Sequence, residues 1–312
     1  MQPKVVIIVL NWNRKDDTVD CLNSLNKINY ENYKILLIDN HSTDDSVSAI
    51  KHSFPDLEVI VNGDNLGYAE GNNVGIRHVL NGNAEYVLLL NNDTIVDPEF
   101  LSNMIKTAES ESGIGIVGPK IYYYKFNGKD NVINSVGGTI NYYTGTVSLY
   151  GFKEVDEGQY DLAQKVDYVE GACILIKRDV FDRIGYLNPK YFMYWEETDF
   201  CTRARKAGFK VITSPKAVIW HKSIPKMSLF LNQFRLYYTT RNMFFFERQN
   251  ASRFALAIFT LYFFGYRFWK ATAIMSLYFR NLSSIKAFYR GIIHGIMQSN
   301  LQTTTAQKSD KS

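Results

Sequence analysis

Cysteine is scarce in this 312-residue chain: Cys21, Cys173 and Cys201, an odd number with no CxxC pair. That usage excludes a disulfide-stapled scaffold and fits a reducing compartment. Near the start, the apolar run Val5 to Leu10 is too short for a signal-peptide core and reads as a first strand. No uninterrupted apolar run reaches the ~20 residues of a spanning helix. These absences predict a cytoplasmic protein. Acid is nearly missing from the end of the chain. Residues 222–312 carry 13 Lys+Arg against 2 Asp+Glu, net +11, whereas residues 1–221 carry 22 against 29, net −7. Such a division implies two surfaces with different partners. The basic part has no zinc or helix-turn-helix signature, so an anionic membrane surface is expected as its partner and no nucleic acid.

What is present in the acidic part is an alternation of strand and helix signals. VVIIVL (5–10) is followed by a helix pattern from Asp17 to Leu25, and YKILLIDN (33–40) by one from Asp45 to His52. LEVIVN (57–62) precedes a helix over Ala69 to Leu80. YVLLLNND (86–93) precedes one over Pro98 to Glu109, with Pro near its first turn. Strands without alternation, separated by helices, predict an α/β fold whose mostly parallel sheet is covered on both faces. Ligands of such sheets bind beyond the carboxyl ends of the strands. The polar clusters Asn11–Asn13, Asp39–Asn40 and Asn91–Asp93 fall at those ends, so three tips are expected to form one site.

Residues 121–167 loosen into Tyr- and Gly-rich stretches, expected as hairpins or an excursion over the sheet. Order returns at YVEGACILIKRDVF (168–181), a strand leading into a helix, and at KVITSPKAVIWH (210–221). Beyond His221, Phe230–Phe246 and Phe254–Phe279 are dense in aromatics broken by Arg235, Arg241, Arg267 and Lys270. Amphipathic helices lying on a membrane surface are expected there, the alternative being a packing subdomain whose cations face solvent. The organisation expected is thus a catalytic domain over 1–225, a membrane-associating helical region over 226–300 and a disordered tail over 301–312.

Three clusters carry chemistry. Asp93, behind two amides at a strand tip, offers hard oxygen ligands to Mg²⁺ or Mn²⁺; alternatively it caps the following helix. Glu196, Glu197 and Asp199 follow an aromatic patch at a helix start. They complement the helix dipole there, or are crowded into a general base of raised pKa. His221 ends an apolar strand.

NWN near the start, IDNHSTDDS (38–46), NLGYAEGNNVGI (65–76), LLLNNDT, GACILIKRDVF, YWEETDFCTRARKAGF and WH occur in the order seen in family 2 inverting glycosyltransferases. The chain resembles their rhamnosyltransferase-like branch, which builds bacterial surface polysaccharides, over roughly residues 4–222, with YYTTRN (237–242) beyond. The resemblance implies a GT-A fold binding a dTDP- or UDP-sugar. Asp39 would take the imide N–H of the base, and Asn11, Asn13, Ser42 and Asp44 would line the nucleoside. Leu66, Gly67 and a turn of Gly71, Asn72 and Asn73 would close over the nucleotide. Asp93 matches the last acid of the DxD metal motif, with Asn91 in place of the first and Asn92 between, both at the nucleotide sugar; His221 would be a further metal ligand. Glu197 matches the base, Asp199 would hold acceptor or base, and Gly171 and Ala172 would lie beside the donor sugar. Arg241 would reach the diphosphate or be a surface cation. The implied reaction is transfer of rhamnose or another hexose to a lipid-linked saccharide at the cytoplasmic membrane face. Two alternatives stand beside it. One is a sugar-1-phosphate nucleotidyltransferase, disfavoured because NWNRKDD after the first strand has no glycine; the other is a silent binding protein on the same scaffold.

Overall fold

The structure, a computed structural model, describes residues 2–222 and 229–297. The expected disordered tail, and the expected boundary near 225, lie outside the described residues. The chain forms two compact units. The first takes Met1–Thr139, Val147–Phe192 and Glu196–Ser223, and the second Ile140–Thr146, Met193–Trp195 and Ile224–Ser312.

The first unit opens with β1 (Val5–Asn11), α1 (Lys15–Leu25), β2 (Tyr33–Asp39), α2 (Ser46–Ser53), β3 (Glu58–Val61), α3 (Gly67–Leu80) and β4 (Tyr86–Asn91). These strands pair in parallel in the order β3-β2-β1-β4. Val5, Ile7, Ile8 and Val9 of β1 and Val87 to Leu89 of β4 are fully buried, as expected for strands with a helix layer on each face. A tight turn leads into β5 (Thr94–Val96) and α4 (Phe100–Ala108). Pro98 stands just before the helix, near its first turn as expected, and its carbonyl accepts Asn29 N–H.

The rest of the sheet is less regular. β6 (Ile114–Tyr123) is a ten-residue strand that the sequence pattern does not signal, because Gly115, Gly118 and Pro119 interrupt it. Both glycines are packing requirements: a Cβ on Gly118 would stand 2.5 Å from Val169, and one on Gly115 2.7 Å from Val180. Pro119 lies opposite Ser214, where β11 (Lys210–His221) breaks register, the kind of irregularity that accommodates a missing N–H. The expected excursion contains β7 (Ile133–Ser135) and a hairpin of β8 (Gly138–Asn141) and β9 (Thr146–Leu149). β10 (Cys173–Lys177) runs antiparallel between β4 and β6, leads into α5 (Arg178–Ile184), and makes the sheet mixed though mostly parallel. α6 (Glu196–Lys206) precedes β11, which pairs in parallel with β6 and antiparallel with β5. The three cysteines are free and buried.

The second unit is helical: α7 (Gln233–Asn250), α8 (Arg253–Tyr262), α9 (Phe268–Ala273) and α10 (Leu282–Met297), with π-helical turns at Phe263–Arg267 and Ile274–Tyr278. α7 corrects an expectation. Its side chains from Leu236 to Glu247 are buried apart from Thr239, so it is a core helix and not a surface one. α10 packs closely on it because of two glycines: a Cβ on Gly291 would meet Tyr237 O at 2.9 Å, and one on Gly295 Arg241 O at 2.8 Å. Among the described residues no helix is long and apolar enough to cross a membrane.

Candidate active site

Sheet register assembles the site in the first unit. β1 lies between β2 and β4 with Asn11 beside Asp39 and Leu10 beside Asn91, so the three polar tips share one edge. Asn11 ties them together. Fully buried, its amide donates to Asp39 Oδ1 at 2.7 Å and Ser42 Oγ at 3.0 Å. Its carbonyl accepts from Thr18 Oγ1 at 2.8 Å and Asn92 Nδ2 at 3.2 Å. Asp39, also shut from solvent, accepts the Ser42 N–H at 2.9 Å and hydroxyl at 2.6 Å. A carboxylate has about four acceptor positions, and these bonds take three. Asn13, at φ 52°, donates its N–H to Ser42 Oγ and accepts the Thr43 N–H at 2.8 Å. Asp44 is exposed and accepts Ser46 N–H at the start of α2.

Asn40 is a second hub. Its carbonyl accepts Asn62 Nδ2 at 3.0 Å and Leu66 N–H at 3.1 Å, and its amide donates to Asn65 Oδ1 and Gly67 O. Leu66 and Gly67 thus hang from the end of β2. Gly67, at φ 74°, leaves the space a side chain would take from Phe192, whose ring and carbonyl lie 2.5 Å from an ideal Cβ. Gly71, Asn72 and Asn73 depart from expectation: they are buried inside α3, not in a turn. A Cβ on Gly71 would stand 2.9 Å from Leu10 Cδ1, so glycine serves the close approach of α3 to β1. Asn72 donates to Tyr68 O, and Asn73 bonds both the N–H and the carbonyl of Leu187.

Asn91 N–H donates to Ala172 O at 2.9 Å, fixing the 171–172 segment to the β4 tip. Because β5 pairs with β11, Thr94 lies opposite His221, and Asp93 Oδ1 comes 3.1 Å from His221 Nε2. His221 Nδ1 faces Asn134 Nδ2 at 3.4 Å and Glu170 Oε1 at 3.8 Å. Burial alone pushes the Asp93 carboxyl up and the imidazole down. Their mutual bond prevails, so the Asp93 pKa is lowered and that of His221 raised. Asp93 is therefore no helix cap.

Glu197 lies in the first turn of α6. Its Oε1 is near Thr198 Oγ1 at 3.4 Å, and its Oε2 is buried without a hydrogen-bond partner. Burial, then the charge of Glu170, pushes its pKa up to about 7, against donors on the helix backbone that pull it down. Glu196 is buried too, and desolvation with the neighbouring Glu197 charge holds it well above the usual carboxylate range. Gly171 borders Glu197: a Cβ there would lie 3.7 Å from Glu197 Cγ and from Tyr68 Oη. Glu197 thus senses the charge of Glu170, which faces His221 and, through it, Asp93. Asp199 does something else. It is 1% exposed and accepts from Arg203 Nε at 2.7 Å and Tyr191 Oη at 3.3 Å, so it braces α6, the helix that carries Glu197, against the Tyr191 segment.

Tyr68, Glu170 and Asn134 escaped sequence reasoning. Tyr68 Oη donates to Gly171 O at 2.6 Å, and its N–H joins that of Ala69 on Phe192 O. Burial and the charges of Glu196, Glu197 and Asp93 hold its phenol protonated. The signals were there for two of the three, Tyr68 within NLGYAEGNN and Glu170 beside Gly171, but nothing in sequence spacing marked Asn134.

Among the described residues no group of three or more His, Cys, Asp and Glu side chains is arranged to hold a metal ion. Asp93 and His221 form a two-ligand pair of oxygen and nitrogen. This donor set fits a divalent ion whose shell is completed by phosphate oxygens and water. Arg241 belongs to the second unit and is not a surface cation. It is 5% exposed, its guanidinium 4.7 Å from the Tyr238 ring centre and 5.3 Å from that of Phe245, with Nε donating to Asn242 Oδ1 at 2.8 Å.

A model of the family "Glycosyl transferase family 2" matches residues 6–185. A low-salt glycan biosynthesis hexosyltransferase of Haloferax volcanii is 28% identical over 242 residues, 76% of this chain and 73% of that protein. An N-acetylglucosaminyl-diphospho-decaprenol L-rhamnosyltransferase of Mycobacterium tuberculosis is 25% identical over 205 residues, 60% of this chain and 66% of that one. Among solved structures, a mannosyltransferase of Pyrobaculum calidifontis in complex with GDP-Man and Mn²⁺ aligns with a TM-score of 0.59. Its identity is 16%, over 96% of this chain and 88% of that one. At that identity the likeness establishes the fold, a GT-A-type α/β architecture with C-terminal helices.

Proposed function

The chain belongs to glycosyl transferase family 2, and on that premise we propose that it is an inverting, metal-dependent transferase with Glu197 as its base. Family membership sets aside the nucleotidyltransferase alternative. The donor is a dTDP- or UDP-sugar carrying rhamnose or another hexose, and the acceptor a hydroxyl of a lipid-linked glycan. Support for the donor is the buried acceptor Asp39, with one position left for an imide N–H. Support for the acceptor comes from the relative named for a diphospho-decaprenol substrate.

The observation that carries the reading is the juxtaposition of Glu197 with the side-chain-free Gly171 and with Glu170, whose charge it senses and which faces His221 and, through it, Asp93. Glu197, raised to about 7, is basic enough to take the acceptor hydroxyl proton. The freed oxygen attacks the anomeric carbon from the face opposite the diphosphate, forming one C–O bond as the bond to the diphosphate breaks. Asp93 and His221 would hold a divalent ion, which when bound neutralises charge on the leaving diphosphate. Asn11 and Asn40 keep the strand tips, and with them the nucleotide pocket, in place. Gly171 leaves room for the sugar ring beside the base. We place the reaction at the inner face of the cell membrane, the basic second unit meeting anionic lipid.

The test is incubation of the purified protein with Mg²⁺ or Mn²⁺, a panel of dTDP- and UDP-sugars and a lipid-diphosphate glycan, with mass-spectrometric detection of the nucleotide sugar consumed. Transfer from one pyrimidine-linked donor, lost in Glu197→Gln while donor binding persists, is the expected result. Full transfer by a folded Glu197→Gln protein would show that the base is another residue.

A further inference from the structure

We infer that the outer face of the helix running from Arg253 to Tyr278 is a docking surface for an anionic lipid bilayer. The inference deepens the membrane reading above but rests on a different observation, the geometry of this helix. Its inward line recurs every fourth residue: Ala255, Phe259, Phe263, Ala271 and Met275 are buried. Arg267, at the same spacing, donates to the carbonyls of Thr144 and Gly145 within the unit. In an α-helix of 3.6 residues per turn, a four-residue spacing drifts about 40° per step. The two wide π turns at Phe263–Arg267 and Ile274–Tyr278 take up that drift and keep the line on one side.

The same geometry aligns an outer line, Ala257, Leu261, Gly265, Trp269, Ala273 and Leu277, every member of which is exposed. It carries no charge and no hydrogen-bonding side chain apart from the indole. Leu261 is 75% exposed, Trp269 64% and Leu277 76%, and Phe254 and Tyr278 at the two ends are 70% and 80% exposed. The helix is roughly 39 Å long at 1.5 Å per residue. A continuous apolar strip of that length on water is a mark of an interaction surface.

Charge identifies the partner. Exposed cations stand on the helix and just beyond its end, Arg253, Lys270 and Arg280, while the single acid among residues 229–297 is Glu247, which is buried. An apolar ridge with uncompensated cations matches the acyl boundary and phosphate layer of an anionic leaflet. With no helix among the described residues able to cross, the element lies along the surface.

The test is flotation of the full-length protein with phosphatidylglycerol–phosphatidylethanolamine vesicles and with phosphatidylcholine vesicles, without donor or acceptor. Binding is thus read independently of transfer, and either reading can fail alone. We expect binding to the anionic vesicles, weakened by salt, with Trp269 shielded from aqueous acrylamide. The double variant Trp269→Ser, Leu277→Ser should bind at least roughly tenfold more weakly, and Lys270→Glu about fivefold or more. All three sites are exposed, so circular dichroism should be unchanged. Failure of the wild type to float with anionic vesicles would overturn the inference, as would equal flotation of wild type and both variants. So would a lipid-free dimer that the double variant converts to monomer, since the strip would then meet a second copy of the chain.

Discussion

Replacing Glu197 by Gln should abolish transfer and, above neutral pH, stabilise the protein. The carboxyl is raised from 4.5 to about 7, first by burial and then by the Glu170 charge. Folded protein therefore binds this proton more tightly than unfolded chain does. The favourable contribution is complete below pH 4.5 and is lost progressively as pH rises to about 7, beyond which the ionised group weighs against the fold. At 1.36 kcal/mol per pKa unit the difference is about 3 kcal/mol. Glutamine keeps the shape but cannot ionise, and any cost of its own amide is the same at every pH. The melting temperature of Glu197→Gln relative to wild type should therefore be several degrees higher at pH 8 than at pH 5, referenced to its own offset. Transfer should fall by about 10²–10⁴-fold, the usual worth of a positioned base. In the wild type, kcat/KM should rise about tenfold per pH unit below 7 and level off above it. Thermal melts at the two pH values and nucleotide-diphosphate release across the range measure both effects. A melting difference independent of pH, or transfer by the variant at wild-type rate, would refute the assignment of a buried base of raised pKa.

Replacing His221 by Ala removes one of the two proposed ligands of the divalent ion. Transfer should fall at least 10-fold, with recovery requiring higher Mn²⁺ in a titration of initial rate. Gly67→Ala forces a side chain into the 2.5 Å gap before Phe192 at φ 74°; it should cost ~1–3 kcal/mol in denaturant unfolding and weaken donor binding, as calorimetry would show. Arg203→Ala removes the cation paired with the 1%-exposed Asp199 carboxylate and should destabilise by about 3 kcal/mol. Because that carboxylate braces α6 through Arg203 and Tyr191, the donor KM of the folded fraction should stay near wild type.

Local chemistry by itself decided the first four strands and the helices between them. Unbroken apolar runs in β1, β2 and β4 can be satisfied only by a sheet covered on both faces, and their polar ends then fall on one edge whatever the connections do. Hence Asn11, Asp39, Asn91 and Asp93 could be placed together from sequence alone. Motif order supplied the family and pointed to Glu197 and His221. Pairings between distant segments could not be read in the same way. β6 was hidden because its glycines and proline answer to Val169, Val180 and a bulge in β11, none of them neighbours in sequence. Asp93 meets His221 only through the β5–β11 register, and Asp199, indistinguishable from Glu197 by position, turns to Arg203 because of its place on the helix. Gly71 looked like part of a turn over the nucleotide and is a packing contact with Leu10. Arg241 looked like a surface cation and is held among aromatic rings. Composition can set which groups need partners; which partner each finds depends on the distances between segments far apart in the chain, and only packing determines those.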